Sequence, residues 1–210
     1  EDGAIDLGAP GKDNLYGAGR INVYNSYLNQ PEAVITFQPN GVGSDASGTI
    51  LTIDGVGYSY SQLPKSFDWQ VGSTHSVSAS TSVSGGSGKR YTWVSWTNGD
   101  GLSGASGTYT VPSSSQTVTA NYKTQYYLTV NSPYDTPGGE GWYNKDVNAY
   151  ATLQTGTVPG GAGTRYFFTG WSGDASGTGL TSNPILMNGP KTATANWEIQ
   201  YQFSVMSNGL

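Results

Sequence analysis

The sequence predicts an all-β protein built as tandem β modules, each a β-grasp-like sheet or an Ig-like sandwich, preceded by a short loop-helix tail. Three observations carry this. An echo runs along the chain at one fixed spacing: Gly86, Gly88, Arg90, Tyr91 and Trp96 recur downstream as Gly161, Gly163, Arg165, Tyr166 and Trp171. The register continues through Ala120-Asn121-Tyr122 against Ala195-Asn196-Trp197 and Gln125-Tyr126 against Gln200-Tyr201. Repetition at a fixed period is the mark of stacked modules. Only 11% of residues are charged while Gly numbers 31, Tyr 15 and Trp 6. Aromatic rings must therefore supply much of the buried apolar area, and glycines much of the turn geometry. Finally, short runs that alternate apolar and polar recur between turn signals.

Residues 1–32 stand apart. Gly and Pro punctuate 8–19, after which Ile21, Tyr24 and Leu28 fall at helical spacing and predict a short helix ended by Asn29-Gln30-Pro31. Module 1, residues 33–124, opens with a strand at 34–37. Runs at 49–53 and 56–60 form a hairpin about Asp54-Gly55, a pair that tolerates the positive φ of a tight primed turn. Strands at 76–82, 91–96, 108–111 and 117–122 bring the module to seven. Module 2, residues 125–199, repeats the plan with a shorter front: 126–130, 147–153, 165–171, 185–187 and 192–197. Strand meets strand at Lys123-Thr124-Gln125 with hardly any linker, which predicts a stiff rod. Residues 200–210 begin the pattern again, 201–205 copying 126–130 as the first strand of a third, truncated module. Glu1 and Leu210 thus read as the edges of a window on a longer polypeptide.

The balance of 9 basic against 14 acidic residues gives a net charge of −5, with no lysine or arginine cluster. That argues against a nucleic-acid or anionic-membrane partner. No apolar run approaches the roughly 18 residues of a membrane span. Absence of cysteine removes disulfides and thiolate metal sites. A Gly-, Ser-, Thr-, Tyr- and Asn-rich chain with few charges suits an extracellular or cell-surface location.

Asp13-Asn14, Tyr16-Gly17 and Gly19-Arg20-Ile21-Asn22, within residues 6–22, resemble the segment that closes the catalytic domain of subtilisin-like serine proteases. The resemblance implies a precursor that is a subtilisin-like serine endopeptidase, with its aspartate, histidine and serine motifs upstream of Glu1. It brings no chemistry to this chain, which is expected to be non-catalytic. A triad needs a base beside its nucleophile. The single histidine, His75, lies in the polar alternation 73–79 and reads as an exposed strand residue.

Phe168, Trp171, Gly173, Asp174, Met187, Asn188, Gly189, Lys191, Ala195 and Trp197 resemble divergent internalin-type B-repeat modules of bacterial and archaeal surface proteins. The resemblance implies a β-grasp-like fold and a role as spacer or adhesive stalk. Module 1 departs from it: Thr97-Asn98-Gly99 replaces Ser172-Gly173-Asp174, and Ser113-Ser114-Ser115-Gln116 replaces Met187-Asn188-Gly189. The family is therefore expected to transfer to the second copy alone.

Some residues invite a chemical reading. Asp45 and Asp174 each sit in an Asp-Ala-Ser-Gly-Thr loop whose carboxylate, hydroxyl and carbonyl oxygens suit calcium. One carboxylate per loop is a sparse cage, and the alternative is an aspartate accepting backbone N–H bonds in a turn. No other cofactor is indicated. Trp142, Tyr143 and Tyr134 belong to the Gly-rich loop 132–143 and are the candidate ligand-binding aromatics, for a polysaccharide or matrix. Tyr91, Trp96, Tyr122, Tyr166, Trp171 and Trp197 recur in register and are assigned to the repeated core. Arg90 and Arg165 recur as well, each expected to form an ion pair or stack on a tyrosine. Lys191, five residues before Asn196, raises a covalent Lys–Asn cross-link, for which no acid partner is visible.

Three functions follow. The first is a non-catalytic extracellular extension that spaces, stabilises or anchors a protease, contacting neighbouring modules of its own chain. The second is a surface filament or adhesion protein whose edge at 201–205 takes up other copies by strand addition. The third is a carbohydrate- or matrix-binding module.

Overall fold

The computed structural model describes residues 4–5, 20–21 and 31–206. Among these the helical content is a single 3-10 turn, Tyr60–Gln62. Strands β1 (Ala4–Ile5) and β2 (Arg20–Ile21) pair antiparallel. The helix expected across Ile21, Tyr24 and Leu28 therefore does not begin at Ile21, because a backbone held in a ladder cannot also take helical dihedrals. The rest of that segment, and most of the 6–22 motif, lies outside the described residues.

The first unit contains β3 (Glu32–Asn40), β4 (Leu51–Ile53), β5 (Val56–Tyr58), β6 (Lys65–Gln70), β7 (Thr74–Ala79), β8 (Ser82–Ser84), β9 (Lys89–Thr97), β10 (Ser106–Thr110) and β11 (Gln116–Asn131). The second takes over β11 and adds β12 (Gly141–Asn144), β13 (Asn148–Ala149), β14 (Thr157–Pro159), β15 (Thr164–Gly173), β16 (Ile185–Leu186) and β17 (Lys191–Tyr201). One large sheet runs through both. Its order is β8-β9-β11-β3-β6 in the first unit and β14-β15-β17-β11-β12 in the second. A smaller sheet covers each half, β10-β7-β4-β5 over the first and β13-β16 over the second.

The repeat seen in the sequence is a repeat of hydrogen bonding. Every pairing of β9 with β11 recurs, one repeat later, between β15 and β17: Arg90 opposite Gln125 becomes Arg165 opposite Gln200, and Trp96 opposite Ala120 becomes Trp171 opposite Ala195. Even the irregularity is copied. Val94 is skipped between Ser95–Asn121 and Trp93–Tyr122, as Thr169 is between Gly170–Asn196 and Phe168–Trp197, an extra residue of the kind that bends a strand locally. The front is shorter in the second unit. The parallel partners Ile35 and Gln116 enclose a longer stretch of chain than their counterparts Leu128 and Lys191, and among the described residues the β4–β5 hairpin has no equivalent in the second unit.

Two apolar cores result. Ile35, Phe37, Val118, Ala120 and Tyr122 face Leu51, Ile53, Val77, Ala79 and Tyr109 across the first unit. Leu128, Val130, Phe168, Trp171, Ala193 and Ala195 face Ala149, Ile185 and Met187 across the second. Aromatic edges lock the first core, with Phe37 against Phe67, Trp69 and Tyr109 at centroid distances of 6.1, 5.9 and 5.7 Å. Several expectations change. β6 and β12 are strands where none was expected, because Phe67, Trp69 and Tyr143 find a core to cover only once β3 and β11 lie alongside. The run 147–153 shortens to β13 and a bridge at Thr152. The strand expected at 201–205 keeps only Tyr201, the last residue of β17.

Leu128 is fully buried and Val34 is 44% exposed on the opposite pleat from Ile35. Leu128→Ala should lower stability by about 2–5 kcal/mol, and Val34→Ala by no more than about 0.5 kcal/mol. Urea titration followed by tryptophan fluorescence checks both.

Candidate functional site

The most elaborate cluster of side chains lies where the first unit meets the second. Arg90, on β9, places its guanidinium 4.4 Å from the centre of the Trp142 ring on β12. Arg90 Nε donates to Gln125 Oε1 at 2.8 Å, and Gln125 Nε2 donates to Asn144 Oδ1 at 2.9 Å. A planar cation on an indole face, steered by a fixed hydrogen bond, is a contact that lysine could not reproduce. The Tyr127 ring meets Trp142 edge-on at 5.2 Å, and its hydroxyl donates to Glu140 Oε1 at 3.0 Å. The backbone joins in, with Tyr127 N–H donating to the Gly88 carbonyl and Lys145 N–H to that of Thr124, both at 2.9 Å. Gly88 has φ +68°, and a Cβ there would fall 2.8 Å from Pro190 Cβ, so glycine lets the two units close. Beside the joint runs a groove of about 470 Å³ lined in part by Gly88, Tyr127, Trp142 and Pro190.

The candidate ligand-binding aromatics are thus spread out and engaged. Trp142 is half-buried under Arg90. Tyr143 donates its hydroxyl to the Gly139 carbonyl at 2.7 Å and packs on the second core. Tyr134 stacks on Tyr166 at 3.7 Å. Of the residues assigned to the repeated core, Tyr91, Tyr122 and Trp171 are buried, while Trp96 and Trp197 are half-buried against the cores. Trp96 and Trp171 make the same tie in successive copies, each Nε1–H donating to a glycine carbonyl a little further along the chain, Gly104 at 2.8 Å and Gly179 at 3.0 Å. Tyr166 differs from its counterpart Tyr91. Tyr91 is sealed by the loop carrying Asp45, to which its hydroxyl donates, whereas Tyr166 is half-buried and stacks on the Tyr134 ring.

Asp45 and Asp174 share a five-residue motif but occupy unrelated places, one after β3 and the other after β15. Asp45 Oδ2 meets Lys89 Nζ at 2.7 Å. Asp174 accepts from Thr192 N–H at 2.8 Å and Lys191 Nζ at 3.1 Å. Both carboxyls are held below the ordinary range, Asp45 chiefly by Lys89 and then Tyr91, Asp174 chiefly by the Thr192 N–H. Among the described residues no three His, Cys, Asp or Glu side chains gather as a metal cage. Lys191 and Asn196 sit an odd number of residues apart on β17, so they face opposite sides of the sheet. Where an ion pair or a tyrosine stack was expected, Arg90 lies on Trp142 and Arg165 bonds Gln200.

His75 is a correction. Its side chain is only 17% exposed, because Trp69 of the unforeseen strand β6 lies flat on the imidazole at 3.5 Å. Nδ1 is 2.8 Å from Asp54 Oδ2 and Nε2 is 3.0 Å from Ser73 Oγ, the order of a serine-histidine-acid triad. The group acts as a clasp between the two sheets. Ser73 Oγ donates to the Gln70 carbonyl at 2.7 Å, and Asp54 Oδ1 takes the Ser76 N–H at 2.9 Å. Burial, which pushes the Asp54 carboxyl up, is outweighed by His75 and Ser76, which hold it down. The side-chain contacts of Ser73, Asp54, Gln125 and Asn144 were not anticipated from the sequence. Gln125 was within reach, since Arg90/Gln125 and Arg165/Gln200 recur at one spacing.

A carboxyl depressed on folding adds stability that is present above its unfolded value and lost as pH falls through the folded one. The contribution of the Asp45 and Asp174 carboxyls should therefore be level above about pH 5 and decline below about pH 4. Asp45→Asn with Asp174→Asn should flatten that decline and cost no more than about 1 kcal/mol per exposed pair at neutral pH, read from thermal melts across the range.

A family model described as the divergent InlB B-repeat domain matches residues 69–125 and 135–200. It takes in the first copy as well as the second, correcting the expectation that the first departs too far. Both matches end on the glutamine that holds the joint arginine, Gln125 and Gln200. No curated protein and no solved structure matches the chain.

Proposed function

The chain belongs to the divergent InlB B-repeat family, and from that premise we propose that its two units form a non-catalytic, extracellular spacer. The observation that carries this is β11, which runs from Gln116 to Asn131 without a break and serves as last strand of one unit and first of the next. Its 16 residues span about 53 Å at the usual strand rise of about 3.3 Å per residue. A shared strand clamped by Arg90 on Trp142 suits a part that holds two other things a fixed distance apart.

In this reading the spacer belongs to a subtilisin-like serine protease precursor, which it keeps clear of the cell surface. The resemblance of residues 6–22 to the end of that catalytic domain supports the link. Sequencing the precursor upstream of Glu1 tests it: a serine nucleophile motif several tens of residues before Asp6 is the expected result, and a different domain there would remove the protease from the proposal.

Small-angle scattering of the two-unit chain tests the spacer itself. The expected particle is elongated and rigid, and inserting Gly-Gly-Ser between Thr124 and Gln125 should broaden its distance distribution. An unchanged profile would mean that the shared strand does not set the geometry.

A further inference from the structure

Moved on by one repeat, the joint at Arg90 falls on a second place where its framework is already built. Arg165 Nε donates to Gln200 Oε1 at 2.7 Å, as Arg90 does to Gln125 at 2.8 Å. Gln202 N–H donates to the Gly163 carbonyl at 2.7 Å, as Tyr127 N–H does to Gly88 at 2.9 Å. At the first joint this framework carries Trp142 over the arginine and β12 along the strand. At the second it borders a hollow of about 620 Å³ lined by Gly163, Thr164, Arg165, Gln200, Tyr201 and Gln202. Those six are the counterparts of Gly88, Lys89, Arg90, Gln125, Tyr126 and Tyr127.

The chain beyond the hollow has the matching pattern. Tyr201, Phe203 and Val205 alternate along it and are 73, 88 and 79% exposed, whereas Leu128 and Val130, the counterparts of Phe203 and Val205, are 0 and 5% exposed. In the second unit these positions supply one wall of the core.

We propose that this face is a docking socket for a further B-repeat unit joined in tandem. That unit lays its equivalent of β12 antiparallel along 200–203 and places an indole, at the position of Trp142, on the Arg165 guanidinium. The proposal rests on the spacer reading only in taking the Arg90 joint as the contact that repeats. Continuity with that joint selects the occupant: a unit in tandem supplies both the aromatic cap and the apolar wall that 201–205 require.

The test is a three-unit chain in which residues 1–206 are followed directly by a second copy of 132–199, bringing the copied Trp142 over Arg165. Hydrogen exchange at the amides of 201–205 should slow at least about tenfold relative to the two-unit chain. Arg165→Ala should lower the melting midpoint more in the three-unit chain than in the two-unit chain. A third unit that folds by circular dichroism while exchange at 201–205 stays fast overturns the proposal, as does an equal effect of Arg165→Ala in both chains. If the third unit does not fold, a peptide of residues 138–149 is titrated into the isotopically labelled full chain. Shifts centred on Arg165, Gln200 and Tyr201 support the socket, and none overturns it. Concentration-dependent dimerisation of the two-unit chain that buries Tyr201 would assign the face to a second copy and likewise overturn the tandem occupant. None of these failures touches the spacer reading, which stands or falls on the shape of the two-unit chain.

Discussion

Everything in the large sheet hangs on β11, every residue of which has at least one partner strand. Residues 116–121 pair with β3 and 119–126 with β9, then 125–128 with β12 and 128–131 with β17. Because a strand shows alternate residues to one face, the even positions Val118, Ala120 and Tyr122 enter the first core, and Leu128 and Val130 enter the second. A one-residue slip would turn both sets to solvent at once. The two cores therefore fix one register between them, and neither unit can be defined without the strand it lends to or borrows from the other.

Much of this was legible in the residues. An ungapped repeat at a constant period foretold the duplicated ladder, because residues that recur together keep the same partners. The Asp54-Gly55 hairpin and the shorter second front could also be read locally. β6 and β12 could not. Phe67 and Trp69, or Trp142 and Tyr143, make sense as strand residues only beside β3 and β11, and that pairing is a long-range fact. The shared Asp-Ala-Ser-Gly-Thr motif misled for a related reason: Asp45 and Asp174 carry the same local turn chemistry in places that the fold does not equate. Asp45 meets Lys89 of β9, whereas Asp174 meets Lys191 of β17.

Trp142 and His75 show how far the company of a side chain decides its role. An indole in a glycine-rich stretch looks free to stack on a sugar, and here one of its faces carries Arg90 from the preceding unit. A histidine between a serine and an aspartate looks poised for proton transfer. Flat under Trp69, with Ser73 also bonded to Gln70, it ties β7 of the smaller sheet to β6 at the edge of the large one. In a chain with few charges, such polar contacts set which surfaces meet, while the aromatic cores supply the cohesion.

The parallel pairing of the first and last strand of each unit has a mechanical corollary. Leu128 to Asn131 lie beside Lys191 to Thr194 in the same direction, as β3 does beside β11. A pull on the two ends of either unit would drag these neighbours past each other lengthwise. The bonds between them would then have to yield together instead of opening one at a time like a zipper. Since β11 belongs to both units, tension would pass from one to the next along an already extended backbone, with no slack segment to straighten first.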